Sequence, residues 1–335
     1  MNTSIVNKHT LITAAEWFGG GRRVPYDPDH HRILTTSDAL SSLYLRVFER
    51  VVGTPDVTGR WITMLPGYPD GSYGYAKVNA LLGDEVAPRL YLEYVGQGDS
   101  DKPRDYPYST IERADLVEAQ WQAHGVRHTF VATFDYSSLV VLELLARQQE
   151  RLERGEPLTT RIESVFIANG GLFADAHSHP WFTTPLLKTP LGALSMRRAQ
   201  RSPALFENII RNAKVFAPEY EVTDAELLEL YDAIARRDGA AFLHLAAGFV
   251  AEHKAHARRW DFARLYHVLH DSVRFSIAGS EEDPYEPKQI VAARARLGAA
   301  GLDIRLLPGG HATTSEHPDL LATLIRECAL AWLQP

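Results

Sequence analysis

Short runs of β-branched and aromatic residues alternate along this chain with longer stretches of helical periodicity, and that alternation constrains the fold more than any other feature. Two strands separated by a helix cannot form a tight hairpin. The helix instead carries the chain back over the sheet face, and the next strand enters parallel to the last. The runs are 23–26, 43–52, 61–65, 89–94, 128–133, 162–168, 273–278 and 303–307, about eight strands in all. Only a turn region rich in Pro, Asp and His separates the first two, so they are expected as an antiparallel pair and the later ones as parallel. Helical periodicity is clearest over 110–124, 138–154, 289–300 and 317–333, each opening near a Ser, Thr, Asp or Pro. Gly19-Gly20-Gly21 reads as a turn into the first strand.

The alternation fails in the middle. From 172 to 266 strand signals vanish and helical segments follow one another, among them 204–215, 224–236 and 240–256. A helical block of this size between two sheet strands reads as a cap inserted into an α/β domain. The expected organisation is a discontinuous core, 1–171 with 267–335, and a helical cap (lid) over 172–266. With 335 residues, 45% of them hydrophobic, such a core can be large. The net charge is −7 with acids and bases intermixed, which argues against docking to nucleic acid or an anionic membrane. The expected partners are a small-molecule substrate and water, a homodimer being left open. The single Cys328, in an apolar C-terminal stretch, excludes an intrachain disulfide and reads as a buried thiol. No run approaches the roughly 20 apolar residues of a membrane span, and residues 1–10 lack a signal-peptide pattern, so a cytoplasmic protein is expected.

The segment richest in chemistry is Val131-Ala132-Thr133-Phe134-Asp135-Tyr136-Ser137-Ser138. A strand ends, a helix begins, and between them one polar residue sits on a tight turn with small residues two positions away on either side. That is the pattern of a nucleophile elbow, here presenting Asp135; an N-cap for the following helix is the competing reading. Leu65-Pro66-Gly67-Tyr68 follows another strand and could offer the Tyr68 N–H to an oxyanion beside the N–H of Tyr136. Asp283 follows the strand 273–278 and His311 the strand 303–307, so the chain order is nucleophile, acid, histidine.

These residues resemble the branch of the α/β-hydrolase superfamily that holds epoxide hydrolases and haloalkane dehalogenases, and within it are similar to the mesoderm-specific transcript homologue-like proteins. The resemblance rests on Gly67-Tyr68-Pro69, Gly96-Gln97-Gly98-Asp99-Ser100-Asp101-Lys102-Pro103, Asp135-Tyr136, Ala168-Asn169-Gly170-Gly171, Asp283-Pro284 and Gly310-His311. It implies an α/β-hydrolase fold with a mostly parallel sheet flanked by helices and an inserted helical cap. It also implies Asp135 as nucleophile, Asp283 as acid and His311 as base, with no cofactor. Three departures stand out: Pro66 where the family commonly has His, Phe134 where it has His, and Ser137-Ser138 where it has Gly-Gly.

A carboxylate nucleophile suits displacement at saturated carbon through an alkyl-enzyme ester, so epoxide hydrolysis leads and haloalkane dehalogenation follows. An epoxide oxygen needs a phenolic donor, for which the cap offers Tyr220, Tyr231 and Tyr266; a halide needs an N–H donor such as that of Trp181. Phe134 is a further candidate for the substrate pocket. Ester or lactone hydrolysis, including one by Ser137 or Ser138, and a binding protein that has lost turnover are the other readings. His177 and His179 flank Ser178, but no Cys and no matched second pair accompany them, so no metal is expected.

Overall fold

The computed structural model describes residues 11–34, 44–83 and 85–334. Nine strands form one sheet: β1 (Arg22–Asp27), β2 (Arg32–Ile33), β3 (Leu45–Val52), β4 (Arg60–Leu65), β5 (Arg89–Leu92), β6 (His128–Phe134), β7 (Arg161–Ala168), β8 (Arg274–Gly279) and β9 (Asp303–Leu306), in the order β2-β1-β3-β5-β4-β6-β7-β8-β9. β1, β2 and β3 are antiparallel to their neighbours, and every pairing from β5 to β9 is parallel. The extra strand, β2, is a two-residue edge piece too short to leave a periodic signal. Leu43, where the second expected strand begins, and residues 1–10 lie outside the described residues.

β6 and β7 are central and, towards their carboxyl ends, buried on both faces, where Val131-Ala132 and Val165-Phe166-Ile167-Ala168 read as apolar runs. Period two then sorts their side chains. Val131, Val165 and Ile167 face a core shared with the helices Thr110–Ala123 and Ser137–Glu153. Phe130, Ala132, Phe166 and Ala168 face the opposite layer, where Ala76–Leu81 and Pro318–Leu333 pack. Cys328 is only half-buried on the second layer, because its place in helix Pro318–Leu333 falls at the edge of the apolar stripe.

Between β7 and β8 the chain is helical: Thr184–Leu187, Pro190–Ala199, Pro203–Ala213, Asp224–Ala235, Gly239–Ala246, Phe249–Ala255 and Phe262–Leu269. The stretch expected as one helix over 240–256 is two, broken at Ala247 and Gly248, where glycine costs about 1 kcal/mol of helix propensity. Met196, Phe206, Ile210, Leu227, Ile234 and Leu243 make a small apolar cluster of their own. Phe262–Leu269 does not join it. Its Phe262, Leu265, Tyr266 and Leu269 repeat at helical spacing and are buried in the core beneath β8. Among the described residues no helix is long and apolar enough to cross a membrane.

Candidate active site

Three strand ends converge at the carboxyl edge of the sheet. Asp135 follows β6 directly and has φ +59°, a left-handed conformation that costs a non-glycine residue on the order of 1–3 kcal/mol. The turn is held by Asp135 N–H donating to Ala168 O at 3.0 Å and Ser138 N–H donating to Asp135 O at 3.0 Å. Its side chain is buried and leaves helix Ser137–Glu153 without a side-chain cap. Instead Oδ2 accepts the Tyr68 N–H at 2.8 Å, and Oδ1 lies 3.4 Å from His311 Nε2. The N-cap alternative for Asp135 therefore does not describe this turn.

His311 lies beyond β9 and Asp283 beyond β8; His311 Nδ1 is 2.7 Å from Asp283 Oδ2, both side chains being buried. The other Asp283 oxygen accepts the Tyr285 N–H at 2.7 Å. Burial opposes a charge on the imidazole, but the Asp283 charge and the hydrogen bonds to Asp135 and Asp283 outweigh it, and the His311 pKa is raised well above 6.5. The histidine loop is fastened from three sides. Asn169 Nδ2 donates to His311 O at 3.0 Å and Thr313 Oγ1 at 2.8 Å, while its Oδ1 accepts the Ser280 N–H at 3.0 Å. Glu316 accepts the Gly310 N–H at 2.8 Å, and Val215 O accepts the N–H groups of His311 and Ala312. Asn169 thus ties together the ends of β7 and β8 and the loop after β9.

The Tyr68 turn has its own support. Gln97 Nε2 donates to Gly67 O at 2.9 Å, and Lys102 Nζ donates to Gly98 O and Ser100 O at 2.7 Å each. The Gly-Gln-Gly-Asp-Ser-Asp-Lys-Pro loop is therefore a brace for the turn that carries the Tyr68 N–H. Burial pulls the Lys102 pKa down to about 8 against the pull of Glu93. Asp70, just past the turn, is pushed up to about 7 by burial and by the nearby Asp135 charge.

Several candidates fall elsewhere. Only Tyr68 of the two expected N–H donors bonds the Asp135 carboxylate; the Tyr136 N–H makes no hydrogen bond to it. The Phe134 ring lies 5.4 Å from the His311 ring and packs against Gly67, outside the cavity wall. Ser137 Oγ donates to Pro66 O and pairs with Tyr94 OH at 3.0 Å, and Ser138 Oγ donates to Gly171 O at 3.3 Å. Both hydroxyls are thereby occupied inside the core. Tyr220 OH donates to Glu226 at 2.6 Å, Tyr231 OH to Gln200 O at 2.8 Å and Tyr266 OH to Ala300 O at 2.8 Å, so none of the three cap candidates reaches the triad. Trp181 is 74% exposed. Each of the three tyrosines satisfies its hydroxyl away from Asp135, which sequence spacing does not reveal.

A cavity of about 420 Å³ opens over Asp135 and His311. Its walls are mostly apolar, with Met196, Phe206, Ile210, Leu243 and Phe249 from the helical segment. The phenols on it are Tyr68 and Tyr285, whose hydroxyls donate to Leu243 O at 2.9 Å and Ala213 O at 2.6 Å. Burial raises the pKa of both, so both stay protonated. Tyr285, whose ring centroid is 4.8 Å from that of His311, was not singled out from the sequence; its position two residues after Asp283 is the only signal it gives.

A sheet with this strand order and these three strand-end loops is that of an α/β hydrolase, and residues 64–324 match the model of the alpha/beta hydrolase family. The chain belongs to that family. It is 29% identical over 239 residues to the mesoderm-specific transcript protein of Mus musculus, covering 70% of this chain and 68% of that protein. It is 30% identical over 222 residues to the human homolog, covering 64% of this chain and only 63% of the human protein's length. The candidate hydrolase LipZ of Mycobacterium tuberculosis is 27% identical over 332 residues, 97% of this chain and 99% of LipZ. Among solved structures, the haloalkane dehalogenase DatA from Agrobacterium tumefaciens superposes with a TM-score of 0.63 at 16% identity, covering 93% of this chain and 97% of DatA. A candidate epoxide hydrolase from Klebsiella pneumoniae superposes with a TM-score of 0.65 at 15% identity, covering 95% and 98%. At such identities these structures share the fold.

Proposed function

We propose that this protein is a cofactor-independent hydrolase in which Asp135 attacks a saturated carbon and forms an alkyl-enzyme ester, with small, largely apolar epoxides as the leading substrate class. The observation that carries this reading is the orientation of the Asp135 carboxylate. One oxygen accepts the Tyr68 N–H at 2.8 Å and the other faces the cavity side beside His311 Nε2. The attacking oxygen is thus held only by the longer contact to His311 while its partner already occupies an oxyanion site. When water later attacks the ester carbonyl, the carbonyl oxygen becomes the oxyanion in that same site and needs no rearrangement.

The steps balance. Asp135 Oδ1 bonds to an epoxide carbon, the C–O bond breaks, and the departing oxygen takes a proton from a cavity phenol, Tyr285 or Tyr68. The resulting phenolate is reprotonated from the His311 imidazolium, which leaves a neutral base; His311, oriented by Asp283, then draws one proton from water as that water attacks the ester carbonyl, the adduct expels the alkoxide, and the second water proton passes to that alkoxide, giving the diol and restoring the Asp135 carboxylate. The helical segment acts as a lid that excludes bulk water. The apolar wall and the phenols favour an epoxide; dehalogenation is the second reading, favoured by the likeness to DatA in fold. The test is intact-protein mass spectrometry of His311→Gln after mixing with an epoxide panel and a haloalkane panel. An adduct on the peptide holding Asp135 with epoxides is expected; adducts with haloalkanes only, with halide released, move the assignment to dehalogenation. No adduct with any compound, and no diol from the wild type, refutes the reading.

A further inference from the structure

A second cluster of buried polar side chains lies beside the catalytic cavity and plays no part in the chemistry above. His177 and His179 come from the loop after β7, Glu286 from the loop after β8, and His253 from helix Phe249–Ala255. His177 Nε2 lies 2.7 Å and His179 Nε2 3.1 Å from the same oxygen of Glu286, and the side chains of all three are within 3% of full burial. The ligand atoms of these three residues lie within 4.8 Å of one another.

Hydrogen bonding leaves this cluster incomplete. The second Glu286 oxygen and His253 Nε2 are buried without a hydrogen-bond partner, and His177 Nε2 meets only the first Glu286 oxygen. Unmet buried groups cost about 1–3 kcal/mol each, so the two together call for an occupant. The opposite ring nitrogens, by contrast, are engaged: His177 Nδ1 is 2.8 Å from His253 Nδ1, and His179 Nδ1 is 2.9 Å from Thr184 Oγ1. Both imidazoles have Nδ1 engaged on the far side and Nε2 aimed at Glu286, so the tautomer with its proton on Nδ1 presents two Nε2 lone pairs to an ion held at that point.

We propose that His177, His179 and Glu286 form a binding site for one divalent transition-metal ion of the zinc class. Two imidazoles and one carboxylate are a common set for such ions, at about 2.0–2.2 Å from each donor, and leave a fourth position for water. The 2.7 Å and 3.1 Å separations must open by a few tenths of an ångström to admit the ion, which relieves the crowding of two nitrogens on one oxygen. The ion joins Glu286, three residues beyond Asp283, to the loop leading into the helical segment. Its role is to fasten that segment to the triad-bearing core.

The test is titration of the chelator-treated full chain with Co²⁺ alone, read by its visible ligand-field spectrum, and with Zn²⁺ alone, read by calorimetry. One equivalent is expected to bind, with binding weakened at least about 100-fold in His179→Ala and in Glu286→Gln. His31→Ala, at the exposed member of the separate group His31, Glu112 and Asp115, is expected to leave it unchanged. A wild type that binds neither ion overturns the proposal, as does binding retained in both variants or lost in His31→Ala. Should His179→Ala fail to fold, the near-isosteric Glu286→Gln makes the same comparison.

Discussion

Asp283→Asn separates the two halves of the proposed reaction. In the wild type Asp283 Oδ1 accepts the Tyr285 N–H at 2.7 Å and Oδ2 faces His311 Nδ1 at 2.7 Å. An asparagine must keep its carbonyl oxygen on the Tyr285 N–H, because the flipped amide would set two donors against each other. Its NH₂ then points at His311 Nδ1, which becomes an acceptor, and the ring proton moves to Nε2. A protonated Nε2 cannot take a proton from water. The same tautomer fault in a serine protease triad costs about 10⁴ in rate, or roughly 5 kcal/mol of transition-state stabilisation. Attack by Asp135 needs no base, so ester formation survives while ester hydrolysis collapses. Rapid quench of the variant with a turned-over epoxide, followed by intact mass measurement, should show close to one alkyl group per chain. Turnover within about tenfold of the wild type, with no accumulated ester, refutes the tautomer argument. Stability supplies a second readout. The folded His311 pKa lies above its ordinary 6.5, so its contribution is fully present below pH 6.5 and is lost as pH rises through the folded value. The variant's deficit in unfolding free energy is therefore largest near pH 6 and narrows in alkali.

Asn169→Ala strands the Ser280 N–H and Thr313 hydroxyl and releases the His311 loop, which should lower unfolding free energy by about 2–4 kcal/mol in urea titrations and reduce kcat more than it raises KM. Tyr285→Phe removes a protonated phenol from the cavity; a fall of about 10²-fold or more in the rate of alkylation by epoxides, measured in single turnover, is expected if it is the proton donor. An unchanged rate shifts that role to Tyr68. Ser137→Ala deletes a hydroxyl engaged with Pro66 O and Tyr94, so a stability loss of about 1 kcal/mol with nearly unchanged turnover is expected. Loss of all turnover with the fold intact would make Ser137 the nucleophile.

Strand existence, parallel order and the helical interruption were legible because they rest on periodicity, which the chain displays over many residues at once. The positions of Asp135, Asp283 and His311 were legible for the same reason: Asp135 follows a strand directly, and Asp283 and His311 lie in the short loops just beyond two later strands. The cavity wall was not. Tyr220, Tyr231 and Tyr266 look equivalent to Tyr285 as letters, and all four hydroxyls bond a carboxylate or carbonyl, but of the four only Tyr285 lines the cavity over Asp135, which packing decides. Glu286 was invisible as a partner of His179 because 107 residues separate them. Only the adjacency of β7 and β8 brings their loops together. The broken helix at Gly248 and the turn of β2 are likewise settled by tertiary fit.

In the proposed reaction, the charge arrangement lets the same histidine be charged before the ester forms and neutral after it. Before attack, His311 lies between two carboxylates, Asp283 at 2.7 Å and Asp135 at 3.4 Å, and both favour its protonated form. Esterification removes the Asp135 charge. The imidazolium then loses one of the two anions that offset its burial, so its pKa falls at the moment a base is needed. Water that enters the cavity meets a neutral Nε2 and an ester carbonyl whose oxygen sits on the Tyr68 N–H. The strained Asp135 turn and the apolar wall above it keep these groups from reorienting, so the order of the two proposed steps follows from the charge on one side chain.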